Sequence, residues 1–341
     1  MKKYLNSNLF YQGDANVFLP LCVVYVAGFI LNLITINEYF SWKIKMYLYN
    51  HLNYYSFIFS YESVILLIIY IGIIYIITVG IFKRKKWSTF LCGPFSRIDI
   101  RARELIIVIL SVIIYIIMFL SIVLKNYIQY YNILIYINDF YKVLILDILR
   151  IISVSTLTIG ILSIMDTIFA NLYYLIGAGI FSFIYIISLL VNFNSVLSYY
   201  ANDKAYGLNY IYNGLIEYLD VRMVGKPISA LQIISISSIF IIMGIILIFI
   251  SKILTNKMLV ENMNEGIIFE FPKKVASFMI VTFVGVASAP YISSIIDDIY
   301  FRYSLGEYEL VAIRSVIIVV LSIITYFVFK NFKKVKKDVY Y

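Results

Sequence analysis

Eight runs of about twenty mostly apolar residues dominate the chain, at about 17–37, 63–82, 105–124, 143–165, 172–192, 231–251, 274–293 and 309–329. A helix of that length crosses about 30 Å of hydrocarbon. The fold class expected is an all-α integral membrane protein with about eight transmembrane helices. Composition agrees: 62% of residues are hydrophobic and 14% charged, with a mean hydropathy of +0.92. A soluble domain cannot hide that much apolar surface. The first run is too long for a signal-peptide core and has no small-x-small cleavage site, so it is expected to stay in the membrane. The boundary at 165–172 is a very short turn marked by Asp166 and Asn171.

Lysine and arginine set the orientation, because loops that stay in the cytoplasm keep them. With the N-terminus inside, the inner segments hold eighteen of these residues and the outer segments eight. Both termini are therefore expected to be cytoplasmic. The same bias accounts for the net charge of +9, so no nucleic-acid partner is called for. Tyrosine is abundant, with 33 residues, and suits the membrane–water boundary, where ring and hydroxyl meet different surroundings. Cys22 and Cys92 are the only cysteines; one lies in a span and one in a loop, so neither a disulfide nor a metal site is expected.

The most cationic inner segment is 83–104, KRKKWSTFLCGPFSRIDIRARE, with Lys83, Arg84, Lys85, Lys86, Arg97, Arg101 and Arg103. Gly93-Pro94 breaks any continuous helix. Ser96 stands three residues before Asp99, the spacing of a capping box, which predicts a helix beginning after Ser96 and running into the third span.

Within this segment, GPFSRIDIRAR resembles the cytoplasmic loop of ABC-2-type transporter permeases, with Pro94, Ser96, Arg97 and Arg103 on the family pattern. Gly93 replaces the usual leucine, and Lys86 and Trp87 stand where an acidic residue is common. In that family the loop carries a coupling helix that docks on the ATP-binding subunit. The resemblance implies docking by Pro94, Ser96, Arg97, Asp99, Arg101 and Arg103; the alternative is a positive-inside anchor. A second inner segment, 252–274, contains ENMNEGIIFEF at 261–271, similar to a segment of Gram-positive ABC-2-like permeases through Glu261, Asn262, Gly266 and Phe269. The family also implies one permease domain over 1–341 and an interfacial helix in 1–16, for which a frayed tail is the alternative. Short surface helices are implied in the longest outer segment, 193–230, for which an aromatic-anchored connecting loop is the alternative. The last two spans exceed the six of the plain family pattern.

Charges within the spans are few. Asp147 and Arg150 lie three residues apart on one helical face and are expected either to neutralise each other or to form a polar patch on a path or subunit contact. Arg314 is expected to snorkel outward, and Asp166 to sit in the inner turn. The chain has no G-x-x-x-x-G-K-[ST] phosphate loop, no H-E-x-x-H and no G-x-S-x-G, and its single histidine is His51. No enzyme activity and no cofactor are therefore expected in this chain.

The function implied is the permease subunit of an ATP-driven exporter of an amphipathic peptide, drug or lipid-like molecule, in a bacterial plasma membrane. Its expected partners are a separate ATP-binding cassette subunit carrying ATP–Mg, a second permease chain and membrane lipids. The alternatives are an ion-coupled secondary transporter and a non-transporting membrane sensor or assembly protein.

Overall fold

The computed structural model describes residues 15–50, 59–80, 97–134, 140–169, 172–203, 218, 230–257, 267–299 and 307–338. The expectations for residues 1–14, for 81–96 with Gly93, Pro94 and Ser96, and for 261–266 lie outside them. So do those for most of the outer segment 193–230.

Eight long helices account for the eight apolar runs: α1 Ala15–Asn50, α2 Tyr61–Tyr75, α3 Arg97–Gln129, α4 Phe140–Ile168, α5 Leu172–Asp203, α6 Ala230–Lys257, α7 Glu270–Ile299 and α8 Glu307–Asp338. The chain is an all-α, multi-pass membrane protein. Seven of the helices are long and apolar enough to cross a membrane, and α5 carries a shorter apolar stretch, Tyr173–Leu189. Helix α1 runs 36 residues, about 54 Å, so the start of the segment expected as an outer loop, from residue 38, continues the helix. Helix α3 is described from Arg97; the cap expected of Ser96 lies outside the described residues. Among the described residues, the cationic piece from Arg97 onward is the first turns of α3.

Helix α2 begins at Ser60, whose hydroxyl accepts from the Ser63 N–H, with Glu62 in the first turn, where a carboxylate suits the helix dipole. It ends in a π-helical turn, Ile76–Gly80. Widening of this kind is rare and recurs at functional positions. Thr78 Oγ1 donates to the carbonyls of Ile74 and Tyr75 at 2.8 and 3.3 Å, occupying acceptors that the widened turn loosens.

The single domain expected over 1–341 is here two compact units, one of Met1–Thr167 with Tyr212–Val260, the other of Ile168–Ile211 with Glu261–Tyr341. The first holds α1–α4 and α6, the second α5, α7 and α8. The last two spans are thus joined by the fifth. In the second unit α7 and α8 pack so closely that a Cβ on Gly285 would lie 2.7 Å from the Ile318 carbonyl oxygen. Tyr185 pairs with Thr282 at 2.8 Å, and Asn192 Nδ2 donates to the Val286 carbonyl at 2.7 Å, tying α5 to α7. Arg314, expected to snorkel outward, is partly buried and donates from Nε to Ser293 Oγ of the adjacent helix at 3.0 Å. Within the second unit the Ile268 N–H donates to the Ile168 carbonyl at 2.9 Å.

The first unit packs α1, α2 and α3 through a core in which tyrosines carry the polar contacts. Tyr115 Oη donates to Asn32 Oδ1 at 2.8 Å, Tyr70 Oη to the Ser111 carbonyl at 3.1 Å, and Tyr25 shares a hydrogen bond of 2.8 Å with Ser111. Tyr70 and Tyr115 stack obliquely at 5.2 Å between ring centroids. Surrounded by lipid, a buried hydroxyl has no water to turn to and must find a protein partner. Several tyrosines that composition assigns to the interface are therefore the cross-links of the core. Tyr115→Phe removes the hydroxyl that donates to Asn32 Oδ1 and is expected to destabilise the first unit by about 1 kcal/mol, measured by unfolding in detergent micelles. Tyr131→Phe, on an exposed ring, should change nothing.

Candidate functional site

The site runs along α4 and α6, with a buried arginine near each end. The lysine and arginine bias defines the inner and outer ends of these helices.

At the outer end, Asp147 and Arg150 are 0 and 1% exposed and pair at 3.1 Å between Oδ1 and Nη1. Asp147 Oδ2 also accepts from the Phe59 N–H at 3.1 Å, while Arg150 Nη1 donates to the Phe59 carbonyl at 2.9 Å. Phe59 is not helical, and non-helical backbone at membrane depth persists only where protein satisfies its polar groups. The ion pair does this for both polar groups of the peptide unit. Arg150 Nη2 reaches further, to the Tyr218 carbonyl at 2.5 Å. Its guanidinium lies 5.3 Å from the Tyr218 ring centroid and 5.7 Å from that of Phe59, within cation–π range. Tyr218 Oη sits between Ser153 Oγ of α4 at 2.6 Å and Ser237 Oγ of α6 at 2.8 Å. The pair expected at Asp147 and Arg150 is present, and it does more than neutralise itself: it gathers two chain segments that are distant in sequence.

Below this node α4 and α6 run side by side in the same direction. The buried residues of α6 are Ile233, Ser237, Gly244, Ser251 and Thr255, a narrow stripe dominated by small side chains. Ser237, Gly244 and Ser251 recur every seven residues, as do Ser153, Gly160 and Thr167 on α4. A seven-residue repeat keeps one seam in register between two helices, and small residues let the backbones approach. The approach is close: a Cβ on Gly160 would stand 2.7 Å from the Gly244 carbonyl oxygen, and one on Gly244 2.5 Å from that of Thr156.

At the inner end Arg101, in the first turns of α3, is 4% exposed and ion-pairs with Asp166 of α4. Its Nη2 donates to Tyr75 Oη at 2.7 Å and to the Ser163 carbonyl at 2.9 Å, and lies 3.5 Å from Ser251 Oγ. Ser251 itself donates to the Ser163 carbonyl at 3.0 Å. Glu104, one turn along α3, lies 3.5 Å from Arg101 Nη1. A single guanidinium therefore links α3 to α2, α4 and α6. Asp147 and Asp166 are nineteen residues apart on α4, about 28 Å, so the two arginine nodes stand close to one hydrocarbon thickness apart.

Of the residues the resemblance assigns to docking, Pro94 and Ser96 lie outside the described residues, and Arg97 and Asp99 are placed only as backbone in the first turn of α3. Arg101 and Arg103 are buried within the chain, so the outward contact expected of them is corrected. A charge at the lipid boundary is stabilised by the nearest carboxylate, and for Arg101 that is Asp166. Asp166, expected in the inner turn, is a buried residue of α4. The seven-residue spacing of Ser237, Gly244 and Ser251 was the available signal for the seam. Tyr75, Tyr218 and Ser163 gave none, because their partners are remote in sequence. Among the described residues no three or more His, Cys, Asp or Glu side chains gather as a metal site would require.

No protein-family model, curated protein or solved structure matches this chain.

Asp147→Ala leaves the Arg150 charge and the Phe59 N–H buried without their acceptor and is expected to cost about 3–5 kcal/mol, read by unfolding in detergent. Gly244→Ala should lower the melting temperature clearly, whereas Gly177→Ala, where a Cβ would meet nothing within 4 Å, should leave it unchanged.

Proposed function

We propose that this chain is the membrane-spanning subunit of an ATP-driven, ABC-2-like transporter in a bacterial cell membrane. In this reading a separate ATP-binding subunit, carrying ATP–Mg, docks on loop 83–104, and a second permease chain completes the transporter. The cargo class is an amphipathic peptide, drug or lipid-like molecule. The observation that carries the reading is the Arg101 junction. A docking loop moves a membrane domain only if force applied to it reaches several helices. The loop leads straight into α3, whose guanidinium grips α2, α4 and α6 within two turns. The widened turn Ile76–Gly80 sits at the other side of the loop, so the segment joins two helix ends that meet at Tyr75 and Arg101.

The roles within the loop divide accordingly. Pro94, Ser96, Arg97 and Asp99 present the docking surface, Arg97 supplying the charge. Arg101 transmits the displacement inward, and Arg103 belongs to the buried side of the same turns. A proton-coupled secondary transporter needs a membrane group that gains and loses its proton during the cycle. Asp147 and Asp166 are each held by an arginine, which favours a cycle driven from the loop. A non-transporting sensor or assembly protein would use the loop for some other partner, and the same experiment separates it.

The chain is tagged in its native host, extracted in mild detergents and examined for what accompanies it. A stoichiometric ATP-binding subunit is expected with the wild type and lost with Arg97→Glu, at unchanged membrane insertion. Arg101→Lys should keep the partner but uncouple its ATP hydrolysis from cargo movement. Recovery of the chain without any nucleotide-binding protein, across several mild detergents, would sink the proposal.

A further inference from the structure

We infer that the α4–α6 seam is a moving joint: α6 swings on its outer tie at Tyr218, and Arg101 is the releasable tie at its inner end. The use of this motion in transport rests on the function proposed above; the motion itself does not.

Three features of the seam carry the inference. First, α6 is held by small side chains. Apart from Ile233, its buried residues are Ser237, Gly244, Ser251 and Thr255, while Ile239, Ile242, Ile245, Ile246 and Phe249 are exposed. Lipid tails are as apolar as these side chains, so no hydrophobic force presses α6 onto α4. What remains is close backbone packing, the partly buried contacts of Ile236, Phe240 and Ile248 and a few hydrogen bonds. Second, the packing is smooth. Gly160 and Gly244 meet backbone to backbone, so at the closest point of the seam neither helix presents a side chain that locks the other in place.

Third, the hydrogen bonds sit at the two ends and differ in kind. The outer tie is braced: Tyr218 Oη bonds both Ser153 and Ser237, and Arg150 fixes the Tyr218 carbonyl while itself held by Asp147. The inner tie is slight. Ser251 bonds one carbonyl of α4, at Ser163, and that same carbonyl accepts from Arg101, which approaches Ser251 of α6 at 3.5 Å. Ser251 lies fourteen residues beyond Ser237, about 21 Å along the helix, so a tilt of about ten degrees about the outer tie moves it roughly 4 Å. That displacement breaks the inner tie and moves Gly244 by half as much across the smooth contact. Arg101 belongs to α3 and follows any displacement of the loop that leads into it. Its withdrawal removes the clamp from Asp166, Ser163 and Ser251 together, which gives the seam two discrete arrangements.

Thiol labelling tests the joint without requiring transport. In a chain with Cys22→Ser and Cys92→Ser, single cysteines are introduced as Ser251→Cys or Ser237→Cys and alkylated in membrane vesicles. Both should react slowly while Arg101 is present. Arg101→Gln is expected to raise the rate at position 251 by about ten-fold and to leave position 237 unchanged. Arg101→Lys, which keeps the charge but not the fork of donors, should fall between. An unchanged rate at position 251 would overturn the joint, and so would a parallel rise at both positions, which reports general loosening. A second variant, Ser163→Cys with Ser251→Cys, bridged by a short dithiol-specific reagent, should abolish the Arg101→Gln effect on limited proteolysis at the inner face. If an ATP-binding partner is captured, the bridged pair should stop cargo movement while leaving the partner bound. If none is captured, the labelling result stands and only its use in transport falls.

Discussion

A guanidinium carries five N–H donors and does not lose its proton. Buried among membrane helices, it must therefore be surrounded by acceptors or the chain does not fold around it. The first compact unit is organised by two such groups. Arg150 collects a carboxylate and two backbone carbonyls, and Arg101 collects a carboxylate, a carbonyl and two hydroxyls. Because those acceptors come from parts of the chain distant in sequence, satisfying each arginine fixes the relative positions of the segments that supply them. Apolar contact between helices in lipid has little directional preference. These two polar centres supply the direction.

The same argument explains why polar side chains line the α4–α6 seam. Serines 153, 163, 237 and 251 are buried at 0–2% exposure in a chain whose exposed surface is isoleucine, valine, leucine and phenylalanine. Serine is small enough to allow close approach, and at 153, 237 and 251 it turns its hydroxyl onto a carbonyl or a tyrosine. Glycine at 160 and 244 removes the remaining bulk. A leucine at either glycine would separate the helices and with them the acceptors that Arg101 and Arg150 require.

How far the sequence disclosed this depends on the range over which each residue acts. The eight helices were legible because length and apolarity are properties of a continuous stretch. The Asp147–Arg150 pair was legible because the two residues are three apart on one helix. Arg101 and Asp166 were misjudged because each sits beside a loop, where a count of inner charges treats it as facing water. The tyrosines were misjudged likewise: 33 residues suggested the interface, whereas Tyr70, Tyr75, Tyr115 and Tyr218 are buried with bonded hydroxyls. The grouping of α5 with α7 and α8 left no trace in a pattern that counts spans in order.

That grouping bears on biogenesis. The chain leaves the first unit after Thr167, spends α5 in the second, and returns for α6 at Tyr212–Val260. During vectorial synthesis the helices α1–α4 therefore enter the membrane before Tyr218, Ser237 and Ser251 have been made. Arg150 and Arg101 must wait with part of their acceptor sets absent, while a helix belonging elsewhere is inserted. Helix α6 arrives last and needs only a narrow stripe to seat itself, for which small residues are well suited: they slot into a bundle already assembled, without forcing earlier helices to repack. The interleaved chain order thus makes completion of the first unit a late event, conditional on correct insertion of α5.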